Sequence, residues 1–168
     1  MAETRWLDEG EQQTWRAFLA ATHLLEGALD RQLRQDSGMS HAYYQILVKL
    51  SEAPERVMTM TDLARRLRSS PSRLSHAVAR LEEGGLVRRS KRPGDRRTTL
   101  AELTPGGMAV LRRAAPGHAH EVRRVLFDAL TDEQVKQLRG IAESMLDVLD
   151  PEGEEPRYTG PTGTVRQD

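Results

Sequence analysis

The chain has 168 residues, 25 Lys and Arg against 25 Asp and Glu, a formal net charge of zero at pH 7, and no cysteine. This length fits one domain, or a small domain with accessory helices, and 38% hydrophobic residues with 13 glycines mark a globular rather than a disordered chain. The missing cysteine excludes disulfides, thiolate metal sites, iron–sulfur clusters and thiol chemistry.

In chain order, Trp15, Phe18, Leu19, Thr22, Leu25, Leu29 and Leu33 form a stripe whose steps alternate three and four, which predicts a long amphipathic helix from Asp8 to about Gln35. Ser37-Gly38 ends it. Ser40 is placed to cap a second helix, His41 to about Glu52, that Ala53-Pro54 stops. Val57 to Met60 reads as a short extended piece, and Thr61-Asp62 as a cap for a short helix ending at Leu67. Ser70 followed by Pro71 is a start signal for a helix over Ser72 to Glu83, with Leu74, Ala77, Val78 and Leu81 on its buried side and Gly84-Gly85 at its end.

Two strands, Leu86 to Ser90 and Thr98 to Leu103, are expected next, joined by a basic turn over Lys91 to Arg97 built around Pro-Gly-Asp. Thr104-Pro105 opens another helix, with Met108, Leu111, Val122, Val125, Leu126 and Ala129 inward and Pro116-Gly117 expected to kink or split it. Thr131-Asp132-Glu133 begins a last helix, with Val135, Leu138, Ile141, Ala142, Met145, Leu146 and Leu149 inward and Asp150-Pro151 at its end. The Gly-, Pro-, Glu- and Thr-rich residues 151–168 read as a disordered tail.

Zero net charge seems to argue against a nucleic-acid partner, but the charge is unevenly placed. Residues 61–104 hold eleven bases and five acids, a net +6, whereas the other 124 residues hold 14 bases and 20 acids, a net −6. A basic module between acidic segments is an electrostatic footprint of nucleic-acid binding. Two short helices followed at once by a basic hairpin predict a winged helix-turn-helix. A helix fits the major groove of B-DNA, and the second helix turns Ser70, Ser72, Arg73, Ser75, His76 and Arg80 outward. The hairpin adds Arg92, Asp95, Arg96 and Arg97 for the flanking backbone or minor groove. Arg65, Arg66 and Arg68 read equally as phosphate contacts or plain surface, and at most one of Arg88 and Arg89, which alternate along a strand, is expected to face DNA.

The strings Leu63-Ala-Arg-Arg-Leu67, Leu81-Glu-Glu-Gly-Gly-Leu-Val-Arg-Arg89 and Gly94-Asp-Arg-Arg-Thr-Thr-Leu-Ala-Glu-Leu-Thr104 resemble the MarR family of bacterial transcription regulators. Most specific is the wing pattern met by Asp95, Arg97, Leu103, Thr104 and Gly106-Gly107; Pro71-Ser72-Arg73 departs from the family's usual recognition-helix start. The resemblance covers roughly residues 10–149. It implies a mainly α fold with a small β wing, in which residues 1–37 and 105–150 supply dimerisation helices around a DNA-binding domain at 38–104. It further implies a homodimer on a palindromic operator, acting as a repressor, with Arg97 in the minor groove and Asp95 orienting the wing. A small aromatic effector would sit where the dimer helices meet the winged domain, near Trp15, Phe18, Tyr43 and Tyr44; those four serve equally as core or interface residues.

The first and last helices present apolar stripes that a small core leaves uncovered, which independently favours a second copy. His118-x-His120 places two histidines on different sides of a helix with no completing ligand, so no metal and no cofactor are expected. None of the nucleophile-elbow, P-loop, zincin or dinucleotide motifs occurs, so no enzyme is expected. The first residues lack the basic-then-apolar order of a signal peptide and no apolar run approaches the roughly 20 residues of a membrane span, so a cytoplasmic location is expected. The competing reading is a winged-helix adaptor that binds protein rather than DNA.

Overall fold

The computed structural model describes residues 4–150; the expected tail at 151–168 lies outside the described residues. Helix α1 spans Glu9–Ser37, started by an Asp8–Glu11 capping box and ended by Gly38 in the left-handed region (φ 67°). Helix α2, His41–Glu52, takes its cap from Ser40, as expected. Strand β1 is Val57–Thr59, and helix α3 is Met60–Arg66.

The cap of α3 is Thr59, not Thr61-Asp62: the Thr59 hydroxyl accepts the Asp62 N–H at 3.0 Å. Starting there lets Leu63 and Ala64 point into the core.

Helix α4, Pro71–Glu83, begins at Ser70 and Pro71 as the sequence predicts. Strands β2 (Val87–Arg92) and β3 (Asp95–Leu103) are longer than expected, leaving only Pro93-Gly94 between them, with Gly94 at φ 78°. Pairing explains the extension. Val87 opposes Leu103, and an irregularity between Lys91 and Arg92 still allows Arg92 to oppose Asp95. The sheet is antiparallel in the order β1-β3-β2.

Helix α5, Pro105–Val125, runs unbroken through Pro116, so the expected split does not occur. Arg112 and Pro116 are both exposed, so water can serve the Arg112 carbonyl that a proline cannot bond. The neighbouring Gly117 lies against α1, where a Cβ would stand 3.0 Å from Asp36 Oδ2 and 3.1 Å from Gln32 Nε2. The helix stops at Val125, so Leu126 and Ala129, expected within it, fall in the cap and in a short turn at Phe127–Ala129.

Helix α6, Asp132–Leu149, starts from a Thr131–Gln134 capping box. Its apolar residues do not face inward within this chain. None is buried; Ile141 is 58% and Leu149 64% exposed, and only Val135 and Leu138 are half-covered.

The core gathers Leu33 of α1, Leu47 and Leu50 of α2, Leu63 of α3, Leu74, Val78 and Leu81 of α4, Val87 and Leu103 of the sheet, and Leu111 of α5. Burying such side chains stabilises by about 1.5–3 kcal/mol each, which fixes α3, α4 and the hairpin as one unit. At the junction of α1, α2 and α5, the His118 ring packs on Tyr44 (centroids 4.5 Å apart) and near His41 (5.5 Å). Burial pushes both histidines below their ordinary values; His41 lowers that of His118 further.

Candidate nucleic-acid interface

Helices α3 and α4 are joined through Leu67 to Ser70. Arg68 takes the left-handed conformation there (φ 47°), and Ser69 N–H bonds back to Ala64 C=O at 3.0 Å, closing α3 so that α4 can leave at a new angle. A non-glycine residue in that region costs about 1–2 kcal/mol, which the buried Leu63, Ala64 and Leu74 on either side offset.

On α4, Leu74, Val78 and Leu81 face the core, and the 3.6-residue period then turns Ser72, Arg73, Ser75, His76 and Arg80 to solvent, with Ser70 exposed at the cap. The structure therefore presents all six expected α4 residues on the outer side. Arg80 is drawn to Glu83 at 2.9 Å, whereas the side chains of Arg73 and His76 have no hydrogen-bond or ion partner among the described residues.

The wing is held by three sets of contacts. Asp95 accepts the Arg97 N–H at 2.9 Å and the Thr98 hydroxyl at 2.5 Å, and these bonds hold its carboxyl below the ordinary aspartate value. Glu82 at the end of α4 accepts both the backbone N–H (2.8 Å) and the side-chain Nε (2.7 Å) of Arg89, which lowers its own pKa. Thr104 donates to Gly85 C=O at 2.7 Å and caps α5 at Gly107 N–H.

Arg88 pairs with Glu102 at 2.6 Å and Arg89 with Glu82, so both are engaged within the module. Arg92, Arg96 and Arg97 stand exposed at the strand ends, with Asp95 between them fixing the backbone.

The aromatic residues are dispersed in role. Trp15 and Phe18 lie on the outer half of α1, 52% and 40% exposed, whereas Tyr44 is buried against His118. Tyr43 instead joins Arg73, His76, Ala77 and Arg80 in lining a recess along α4. It is a half-buried residue of α2 that packs against the core and borders that recess. A second recess, between the turn and the wing, brings Thr61, Arg65, Ser69, Ser75, Arg89 and Thr99 together; the sequence marks Thr61 only as a cap and Thr99 only as part of the wing strand.

Among the described residues no group of three or more His, Asp or Glu side chains is placed to hold a metal ion, and no helix is long and apolar enough to cross a membrane. The charge distribution is an arginine-bearing helix and an arginine-bearing hairpin on one rigid unit. Such a surface can engage phosphates from two directions while a helix face meets base edges.

Comparison with known proteins bears on this surface. Residues 37–98 match the profile of the MarR family. Sco3205, a MarR family transcriptional regulator from Streptomyces coelicolor solved in complex with DNA, is 52% identical; the alignment covers 89% of this chain and 93% of that one, with a TM-score of 0.84. AbsC, another MarR family regulator from Streptomyces coelicolor, is 39% identical over 88% of this chain and 99% of its own, with a TM-score of 0.81. Among curated relatives, the HTH-type transcriptional repressor YetL of Bacillus subtilis is 28% identical over 111 residues, 64% of this chain and 66% of YetL, just under two thirds of its length.

Proposed function

Because the chain belongs to the MarR family of transcriptional regulators, we propose that it binds a specific double-stranded DNA operator as a homodimer in the cytoplasm and regulates nearby genes, as a repressor. The observation that carries this reading is the Glu82–Arg89 junction, which locks the outward arginine face of α4 to the Asp95-ordered wing. Helix and hairpin then meet DNA as one body, with Ser70, Ser72, Arg73, Ser75, His76 and Arg80 toward the major groove and Arg92, Arg96 and Arg97 toward the flanking backbone or minor groove. Support comes from Sco3205, which was solved with DNA, and from YetL, which is named a repressor.

Dimerisation follows from the uncovered apolar residues of α1 and α6. Leu24 is 67% exposed and Leu149 64%. A second copy buries such faces symmetrically and sets two α4 helices about one DNA turn apart, roughly 34 Å. Residues 1–37 and 105–150 thus form the dimer frame and residues 38–104 the reading head. Relief by a small aromatic ligand is part of the same proposal, supported by the exposure of Trp15 and Phe18 on α1; Tyr43, in the recess along α4, and Tyr44, buried against His118, stand apart from that pair.

In vitro selection from random duplex DNA tests the reading. Enrichment of a palindrome with half-sites one turn apart is expected. Failure to enrich any sequence overturns the regulator reading and favours the adaptor.

A further inference from the structure

Two histidines meet where the reading head joins the helical frame, and the proposed DNA contact uses neither. His41 opens α2, in the head, and His118 lies on α5, in the frame. Their ring centroids are 5.5 Å apart, and the His118 ring packs on Tyr44 of α2 at 4.5 Å. Both histidines are half-buried, and Nδ1 of His118 is buried with no hydrogen-bond partner among the described residues. Helix α1 closes the third side, where Asp30 accepts the His41 backbone N–H at 2.9 Å and the Arg34 Nε at 2.6 Å.

This arrangement favours neutral rings. A proton added at Nδ1 of His118 creates a charged donor with no acceptor in reach among the described residues, and a buried, unpaired charge is costly. Protonating both rings also sets two like charges side by side. The surrounding carboxylates do not offset this. Asp30 and Glu26 of α1 favour the charged form of His41, yet burial outweighs them, and Asp30 is already engaged by Arg34. Asp36 of α1, which lies against Gly117, accepts from Gln32 at 2.8 Å. On α5, Glu121 is paired with Arg124 and faces His120 and Arg31.

We propose that the His41–His118 pair is an acid-sensitive latch: its neutral rings clamp α5 to α2, and proton uptake loosens the junction that sets the reading head on its frame. The loosening does not depend on what the head binds; its effect on DNA rests on the reading above. The sign follows from linkage. Burial holds both folded-state values below the ordinary histidine value, so the closed junction is at full strength above that ordinary value. Its stability falls as pH drops from there toward the lowered folded values, because opened rings take up protons that packed rings refuse.

Opening is read without DNA, on the full chain, by amide hydrogen exchange at about pH 7.5 and about pH 5.5. Protection factors, which remove the intrinsic pH dependence of exchange, are expected to fall roughly threefold to tenfold for amides 44–47 and 118–122 of the wild type. With His41→Gln and His118→Phe combined, which keep the packing and remove the titration, the fall is expected to be less than about twofold. Unchanged protection in the wild type, or an equal fall in the double variant, overturns the latch. The wild type alone supplies a second measurement: the ring C–H signals of His41 and His118 are expected to titrate below the ordinary histidine value, and titration of either ring above it overturns the latch.

The consequence for DNA is read as affinity for a duplex enriched in the selection above. Between the same two pH values, the wild type is expected to lose roughly threefold to tenfold more affinity than the double variant. His76 and the other DNA-facing groups are common to both proteins and cancel. Equal pH dependence in the two overturns the link to DNA. If no duplex is enriched, the functional reading fails while hydrogen exchange still decides the latch.

Discussion

Glu82 and Arg89, seven residues apart on α4 and β2, are joined by two hydrogen bonds of 2.8 and 2.7 Å that Arg89 donates to one carboxylate. One comes from the Arg89 backbone N–H and one from its side chain, so the pair fixes both the position of β2 and the direction of Arg89. The two DNA-facing elements of the proposed interface are thereby prevented from moving independently. Preorganisation of this kind reduces the ordering cost of binding.

Glu82→Ala is expected to destabilise the protein by about 1 kcal/mol, the modest value reflecting a pair that is one third exposed. It should weaken operator binding by more than this loss of stability explains. The pH dependence has a defined sign. Arg89 holds the folded-state pKa of Glu82 below the ordinary glutamate value. The stabilisation is therefore complete above the ordinary glutamate range and is lost as pH falls through the lowered folded value. Thermal melts of wild type and Glu82→Gln should converge in acid and separate toward neutrality.

Gly107, in the first turn of α5, is the tightest glycine among the described residues. A Cβ there would stand 2.1 Å from the Leu86 carbonyl oxygen and 2.7 Å from Leu103 Cδ1. Gly107→Ala is expected to cost about 2–3 kcal/mol by forcing backbone apart, measured as a lowered midpoint in urea. A midpoint equal to that of wild type contradicts the close approach.

The sequence made the helix starts legible because single side chains decide them: Ser40, Ser70, Thr104 and Thr131 each accept the N–H three residues on. The outward set on α4 was equally legible, since Leu74, Val78 and Leu81 set the phase of the whole helix. What escaped depends on distant partners. Two threonines compete to cap α3, and burial of Leu63 selects Thr59. Cross-strand pairing carries the wing inward to Asp95, beyond the reach of local turn chemistry. Arg88 and Arg89 look alike in sequence, yet Glu102 and Glu82, fourteen and seven residues away, engage them. Pro116 removes one backbone hydrogen bond from α5, yet the helix continues through it, with Pro116 and Arg112 on its exposed side.

Arg73 and Arg97 are expected to fail differently. Arg73→Ala, on the outward face of α4, should lower operator affinity by roughly tenfold and relax preference at one base position. Arg97→Ala, on the wing beside Asp95, should weaken all duplexes alike and make the salt dependence shallower by about one contact. Fluorescence anisotropy on operator and scrambled duplexes separates the two patterns. Equal effects of both substitutions contradict the assignment of separate roles.

The apolar side of α6 supplies a test of the dimer. Ile141→Glu with Leu149→Glu places charges on residues already 58% and 64% exposed, so the fold of one chain should survive. Sedimentation is expected to show a shift from dimer to monomer at micromolar concentration, with loss of binding to a two-half-site operator. A variant that remains fully dimeric places the interface elsewhere.

The most direct test of the central claim is the affinity of the full chain for duplex DNA as a function of salt. Several arginine–phosphate contacts from α4 and the wing require log Kobs to fall linearly with log salt, by about 0.9 for each contact, giving a slope steeper than about −3. A flat dependence, or no binding at low salt, contradicts a DNA-reading role for this surface.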